Sequence, residues 1–397
     1  MPYGRHAIDD ADLTSVAAAL QSDRITQGPR IEQFEEALAA AVGARYSVAV
    51  SSGTAALHLA ALAAGIGPGD ILLTSPITFV ASANCALYCG AQPDFVDVDP
   101  LRVALDPEAL EAYLQKPRRA GRPRAVVPVH FAGHPADIER IAAIAKARGL
   151  IVIEDACHAL GATWTDSAGT THRVGDGSHA QMAVFSFHPV KHVTTGEGGA
   201  VTTNDRALRD RLRSLRSHGI ERDPKLLRQR EGPWYYEMQS LGYNYRITDF
   251  QCALGSSQLA KLDEFLARRR EIAARYDSAF RGHPLLEPLA QPARSRSAYH
   301  LYVLRLRGAC ASRRREVFDA LLEAGMGVNV HYIPVSWQPY YQDRFGFRRG
   351  EFPHAEDYYR RAVTIPLYPA LSDTQVTWVI DTVSSVVERV AAVASNV

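Results

Sequence analysis

Five lysines occur among the 397 residues, and four have ordinary surface explanations. Lys116 and Lys225 lie in charged loops and Lys261 in a charge-dense helical stretch; Lys146 is near the end of IAAIAKARG, where a cation suits the helix dipole. Lys191 differs. It follows the apolar run MAVFSF and precedes VTTGEGGAV, so it falls in a loop just past a strand end, where open α/β sheets keep their ligand crevice. An amine partly withdrawn from water there has a lowered pKa and a lone pair free for Schiff-base formation with a carbonyl. An ion-paired structural lysine is the competing reading.

Other residues suit the same chemistry. In IVIEDACHALGA a five-residue strand ends in Glu154 and Asp155, and a carboxylate at that end faces the crevice. A pyridoxal ring needs such an anion beside its nitrogen, to keep the nitrogen protonated and let the ring accept a carbanion's electrons. A helix cap is the plainer reading of Asp155. In SSGTAALHLA a strand runs into Gly53 and Thr54 and then a helix, whose first N–H groups bind phosphate without net positive charge. Ser186, five residues before Lys191, can add a hydroxyl to the same phosphate. Phe79, in TSPITFVASAN, can stack on a planar ring, although an isolated aromatic is more often core. His158, and His331 beside Tyr332, read on spacing alone as hydrogen-bonded structural histidines. No GxxxxGK[ST] occurs and no GxGxxG follows the first strand, so a P-loop or a dinucleotide fold lacks support.

The elements that must position these groups are legible as periodicity. Short β-branched runs at 47–50, 71–74, 94–96, 125–129, 151–154, 183–187 and 200–203 alternate with helical stretches such as 55–64 and 138–148. Several runs are apolar on both faces, as a helix-covered, largely parallel sheet requires. Beyond about residue 250 the texture changes. A long charged helix at 251–281, the strand-like HLYVLRL, a helix near 313–324, a strand around 327–331 and a helix at 373–393 read as a smaller α+β domain. The expected division is 1–250 and 251–397, the two packed together.

Composition narrows the function. Hydrophobic residues at 47% and charged residues at 22% fit a soluble globular chain, and a net charge of +1 provides no broad field for nucleic acid or an anionic membrane. The basic segment KPRRAGRPR reads as a solvated loop, since no further clusters or stacking aromatics accompany it. Five cysteines without a CxxC pair disfavour a disulfide framework or a zinc site; Cys85 and Cys89, four apart, read as packing, and no metal is expected. The first residues carry no signal-peptide pattern and no stretch is long and apolar enough for a membrane span, so a cytoplasmic location is expected.

Together these elements resemble the sugar-nucleotide aminotransferases of the DegT and StrS group, which have the fold-type I architecture. The likeness runs through ITQGPRIEQFEEALA, SSGTAALHLA, EDACHALGA, FSFHPVKHVTTGEGGAVTTND, GYNYRITDFQCALG, VHYIPV and PLYPALSD. It implies an α/β fold, pyridoxal 5'-phosphate as cofactor and a homodimer with shared active sites. Lys191 would carry the cofactor as a Schiff base and move the proton, Asp155 would pair with the ring nitrogen, and His158 would sit near the phenolic oxygen. Phe79 would stack on the ring, and Gly53, Thr54 and Ser186 would hold the phosphate, with Asn244 from the neighbouring subunit. The sugar nucleotide would meet Tyr3, Arg24, Ile25, Thr26, Val330, His331, Tyr332 and Ile333. PITFVASAN, SFHPVK, TTGEGG and VHYIPVSWQPYY look most like the branch that serves pseudaminic-acid synthesis, aminating UDP-2-acetamido-2,6-dideoxy-β-L-arabino-hex-4-ulose at carbon 4 with L-glutamate as donor. His192 stands where relatives usually carry a neutral residue.

The rivals are an aminotransferase for another GDP- or dTDP-linked keto-sugar, one for small amino or keto acids, a sugar dehydratase and a non-catalytic regulatory sensor. A dehydratase would carry histidine in place of Lys191. A small-acid enzyme gives no reason for VHYIPV, and a sensor would bring an added DNA-binding segment.

Overall fold

Seven short apolar runs join into one sheet in the computed structural model, which describes residues 1–394. They are β1 (Tyr46–Val50), β2 (Asp70–Thr74), β3 (Gln92–Phe95), β4 (Arg122–Val127), β5 (Ile151–Asp155), β6 (Met182–Ser186) and β7 (Gly199–Thr203). The strand order is β1-β7-β6-β5-β4-β2-β3, and only β7 runs against the rest. The expected mostly parallel, helix-flanked sheet is therefore formed, with strand ends shifted by a few residues.

Helices α1 (Asp10–Leu20), α2 (Pro29–Val42), α3 (Gly53–Ala63), α4 (Ala81–Tyr88) and α5 (Ile138–Ala147) belong to this half of the chain. Because side chains alternate along a strand, each strand feeds two cores. Ala49, Leu73, Val126 and Phe185 pack with α2 and α5; Val48, Leu72, Val127 and Val184 pack with α3 and α4 on the other face. Each buried leucine or phenylalanine there stabilises the fold by about 2 kcal/mol. Covering both faces leaves the strand ends as the open ground for a site.

The single helix expected at 251–281 is two, α6 (Asp249–Ala260) and α7 (Leu262–Phe280), broken at Lys261. The break falls where two cores meet. Leu259, Leu262 and Leu266 belong to the sheet's core, whereas Ile272, Tyr276 and Phe280 belong to a second. Lys261 Nζ is held there by Asp9 at 2.8 Å and by buried Asp12 at 2.7 Å. The second core contains an antiparallel sheet of Leu286–Pro288, Tyr302–Leu306 and Ala362–Ile365 under α8 (Arg314–Glu323) and α9 (Asp373–Ala394). Residues 395–397 of the expected second domain lie outside the described residues.

One expected strand is missing. Residues 327–331 form no strand; Asn329 makes an isolated bridge to Thr364. Side chains take the neighbouring backbone groups instead, Asn329 Oδ1 accepting from Val330 N at 2.8 Å and the Tyr358 hydroxyl donating to His331 O at 2.6 Å. KPRRAGRPR is mostly exposed and leads into β4, as expected of a solvated loop entering a strand, but two of its arginines are also anchored. Arg118 and Arg119 lie 3.5 and 3.6 Å from fully buried Asp94, and their guanidinium groups cover the rings of Phe352 (4.8 Å) and Phe347 (4.0 Å). Among the described residues, no helix is long and apolar enough to cross a membrane and no cluster of His, Cys, Asp or Glu could hold a metal; all five cysteines are free.

Candidate active site

The carboxyl ends of β1, β2, β5 and β6 and the start of β7 lie along one edge of the sheet, and the candidate residues collect there. At the end of β5 strand alternation separates the two acids. Glu154 is consumed by His130, whose Nε2 is 2.7 Å away. Asp155 is buried, its Oδ2 accepting from Ser82 Oγ at 2.6 Å and its Oδ1 from Cys157 N at 3.2 Å. Ser82 is in turn 2.7 Å from Thr78 Oγ1, so the segment after β2 holds the carboxylate by a two-hydroxyl chain.

Beside it, β1 passes into α3. Ser52 caps the helix by accepting from Ala55 N at 3.1 Å, leaving the first N–H groups at an open end. Gly53 is required by crowding: a Cβ there would stand 2.9 Å from Ser186 Cβ and 3.5 Å from Cys157 Sγ. Gly199 is tighter still, a Cβ meeting the Ser52 carbonyl at 2.5 Å. Gly53, half-buried Thr54 and Ser186 thus converge into one small polar cup.

Lys191 follows in the loop between β6 and β7, in a turn closed by its N–H to His188 O at 2.9 Å. The residue is half-buried, and burial lowers the pKa of its amine, with Asp155 pulling the other way; the neighbouring Cys157 thiol is itself held well above its usual pKa by burial. Four imidazoles surround it without adding charge. His158, His192 and His300 are held well below their usual pKa by burial first, with the Lys191 charge contributing to each, and His331 is pushed down to about 3 by the same two causes. His192 Nε2 is fixed by Ala298 O at 3.0 Å, so its ring lies under the loop, away from solvent.

Above Lys191 lies the rim. The Tyr332 hydroxyl is 3.2 Å from His158 Nε2, while His158 Nδ1 is buried with no partner among the described residues. Phe79, 57% exposed, has its ring 6.3 Å from that of Tyr332. Tyr3 packs on His331 at 5.3 Å, and Gly4 lies against Val190. Val330 is half-buried and Ile333 exposed on the same segment. Arg24, Ile25 and Thr26 are exposed, on a stretch tied to the start of α6 by Asp249 N donating to Ile25 O at 3.0 Å and a Thr26–Thr248 bridge. Helix α6 reaches the Lys191 loop through Gln251 Nε2, which donates to Glu197 O at 2.8 Å. Asn244 is exposed, and the carbonyl of its neighbour Tyr245 accepts from Ser51 N at 2.8 Å.

Lys191, Asp155, His158, Gly53, Thr54, Ser186, Tyr332 and His331 are therefore brought into one neighbourhood, whereas Arg24, Ile25, Thr26 and Asn244 stand on exposed segments at its margin. Ser82, Thr78 and His300 escaped the sequence reading. Ser82 lies inside PITFVASAN, yet nothing in that run says that its hydroxyl crosses to a strand some 70 residues later.

Comparison with known proteins agrees with this geometry. The family model described as the DegT/DnrJ/EryC1/StrS aminotransferase family matches residues 6–384. The chain is 42% identical over 391 residues to the spore coat polysaccharide biosynthesis protein SpsC of Bacillus subtilis, covering 98% of this chain and 97% of that one. It is 36% identical over 390 residues to the UDP-4-amino-4,6-dideoxy-N-acetyl-beta-L-altrosamine transaminase of Campylobacter jejuni, with 98% of each chain covered. Among solved structures, the PLP-form of the putative sugar aminotransferase Spr1654 from Streptococcus pneumoniae is similar with a TM-score of 0.88 at 30% identity, covering 98% of this chain and 99% of that chain.

Proposed function

The chain belongs to the DegT/DnrJ/EryC1/StrS aminotransferase family, and from that premise we propose that it binds pyridoxal 5'-phosphate on Lys191 and transfers the amine of L-glutamate to carbon 4 of a UDP-linked 4-keto-6-deoxy-sugar, in pseudaminic-acid or related glycan synthesis. The observation that carries this reading is the environment of Lys191: a half-buried amine of lowered pKa, with Asp155 as its acidic neighbour and neutral imidazoles around it. The residues present fit the cofactor. Gly53 and Ser186 leave a cup that a single Cβ would fill, and His158 Nδ1 is a buried nitrogen with no partner among the described residues.

When bound, the cofactor supplies an aldehyde for the amine and a ring that accepts a carbanion's electrons. The rest is done by the protein. Asp155, held in position by Ser82 Oγ and Cys157 N, would face the ring nitrogen. Gly53, Thr54 and Ser186 would hold the phosphate, with Asn244 of the neighbouring subunit, and Phe79 would cover one face of the ring. Lys191 Nζ would take the proton from the amino acid's α-carbon and deliver it, its lowered pKa keeping a larger fraction in the basic form. His158 stays neutral beside it, oriented by the Tyr332 hydroxyl. One water would supply the oxygen of the departing 2-oxoglutarate while the amine is retained in the site for the keto-sugar, whose carbonyl oxygen would leave as water, so kinetics should be ping-pong.

The sugar nucleotide contacts Tyr3, Arg24, Ile25, Thr26, Val330, His331, Tyr332 and Ile333. A homodimer completes the site: Leu226, Trp234, Met238 and Leu241 are 61 to 74% exposed around the segment that carries Asn244, a density of bare apolar surface that a second subunit would cover. Five unpaired cysteines suit a reducing cytoplasm. A second reading is an aminotransferase for another GDP- or dTDP-linked keto-sugar; the higher identity is to SpsC, a relative named for spore coat polysaccharide biosynthesis rather than for the altrosamine reaction.

Lys191→Ala should abolish both the absorbance of the lysine-linked cofactor and turnover; near-normal turnover would end the proposal. Incubation with glutamate and a panel of UDP-, GDP- and dTDP-linked 3- or 4-keto-sugars, with mass and NMR analysis of the product, decides between the two substrate readings.

A further inference from the structure

Asn244 is flanked by two tyrosines that face the opposite way. Residues 243–245 run extended beside the end of the preceding helix, Tyr243 N donating to Leu215 O at 2.7 Å and Tyr245 N to Arg216 O at 3.0 Å, with Asn244 bridged to Ser217. Alternation along such a segment turns the first and third side chains inward and the second outward. Tyr243 and Tyr245 stack on each other at 5.1 Å and 16°, and both pack against one buried ring, that of His58, at 4.8 and 5.8 Å. Tyr88 closes the far side at 5.3 Å. His58 Nδ1 is 3.2 Å from the Tyr245 hydroxyl; its Nε2 has no partner among the described residues, so the tether to Tyr245 is its one polar anchor there.

His58 stands on α3, one turn after Thr54, and α3 opens the phosphate cup. The same segment is tied to that cup a second time, by Ser51 N donating to Tyr245 O at 2.8 Å. We propose that His58 is a positioning residue for Asn244: the imidazole, packed edge-on against the stacked pair of Tyr243 and Tyr245 and bonded to the Tyr245 hydroxyl, fixes the direction in which the Asn244 amide is presented to the partner's cofactor phosphate. The helix that forms one subunit's phosphate cup thereby aims the amide that completes the other's. This rests on the reading of Asn244 as a phosphate ligand given above.

The test is the rate at which the dimer loses pyridoxal 5'-phosphate on dilution, followed by cofactor absorbance, alongside thermal melts. Asn244→Ala should release the cofactor about tenfold faster or more, as loss of a charge-assisted hydrogen bond predicts. His58→Phe keeps the ring and loses Nδ1, and Tyr245→Phe keeps the ring and loses the hydroxyl. Each should speed release about fivefold, the effect of one neutral hydrogen bond, and the pair together should exceed neither alone. In the Asn244→Ala background neither should add anything. A purely structural role would instead change release equally with or without Asn244, and that result overturns the proposal. So do wild-type rates in both phenylalanine variants when Asn244→Ala is fast. If Asn244→Ala itself releases at the wild-type rate, the assignment of Asn244 falls and this proposal falls with it. Should His58→Phe fail to fold, Tyr245→Phe reads the same bond from its other end.

Discussion

Two sets of histidines in this chain meet opposite fates. His158, His192, His300 and His331 crowd around Lys191, all buried, none bonded to a carboxylate, and all pushed well below the usual histidine pKa. His172 lies on the small sheet of Thr163–Thr165, Thr171–Arg173 and Ser295–Arg296, stacked on Trp164 at 4.6 Å, its nitrogens 3.0 Å from Asp166 and 3.1 Å from Asp176. Burial lowers its pKa, but the two carboxylates win and the net shift is upward. The lesson concerns charge supply. Around Lys191 the imidazoles have no carboxylate bonded to them among the described residues, so burial keeps them neutral beside the lysine amine.

The strongest way to disturb the first set is behind it. Arg269 is 1% exposed and its Nη1 donates to the carbonyls of Tyr299 (3.2 Å), His300 (3.3 Å) and Leu367 (3.0 Å), anchoring the segment that carries His300. Burial pulls its pKa down to about 10, and its charge helps to keep His192 and His300 neutral. Arg269→Leu should cost about 3 kcal/mol or more, because three buried carbonyls lose their donor. Urea midpoints measure this, and a variant within about 1 kcal/mol of the wild type would mean that water or another donor serves those oxygens.

A smaller effect is expected from pH. An imidazole kept neutral in the fold binds its proton first in the unfolded chain, so stability is full above the unfolded pKa of about 6.5 and declines as pH falls towards the folded pKa. His300→Asn removes one such group. Its stability between pH 6.5 and 5.5 should fall less steeply than the wild type's, by up to about 1.4 kcal/mol per pH unit. Equal slopes would show that His300 is already protonated in the folded chain.

Legibility in the sequence followed the range of the interactions. The seven strands, the cup at Gly53 and the placement of Lys191 and Asp155 at one edge were readable because alternation and helix-start chemistry are local. What escaped was decided across the fold: Ser82 reaching Asp155, Tyr332 reaching His158, and Arg118 and Arg119 settling on Asp94 and two phenylalanines. Residues 327–331 have strand-like composition, but the side chains of Asn329 and Tyr358 outcompete a ladder for their backbone groups. The break at Lys261 was invisible for the same reason, since the acids that hold it are about 250 residues earlier.

The smallest predicted effect tests the other half of the comparison. His172→Phe keeps the aromatic face against Trp164 and removes both nitrogens. Since the folded pKa of His172 is raised, its contribution is complete below the unfolded pKa of about 6.5 and fades as pH rises through the folded value. The site is peripheral and partly screened, so the loss should be on the order of 1 kcal/mol at pH 6, a melting shift of about 1–2 °C, and smaller at pH 9. The sign is opposite to that expected for the histidines around Lys191. Melts of both chains at the two pH values decide it: equal losses would mean that His172 is neutral in the fold despite its two carboxylates, and that acid partners alone do not separate the two sets.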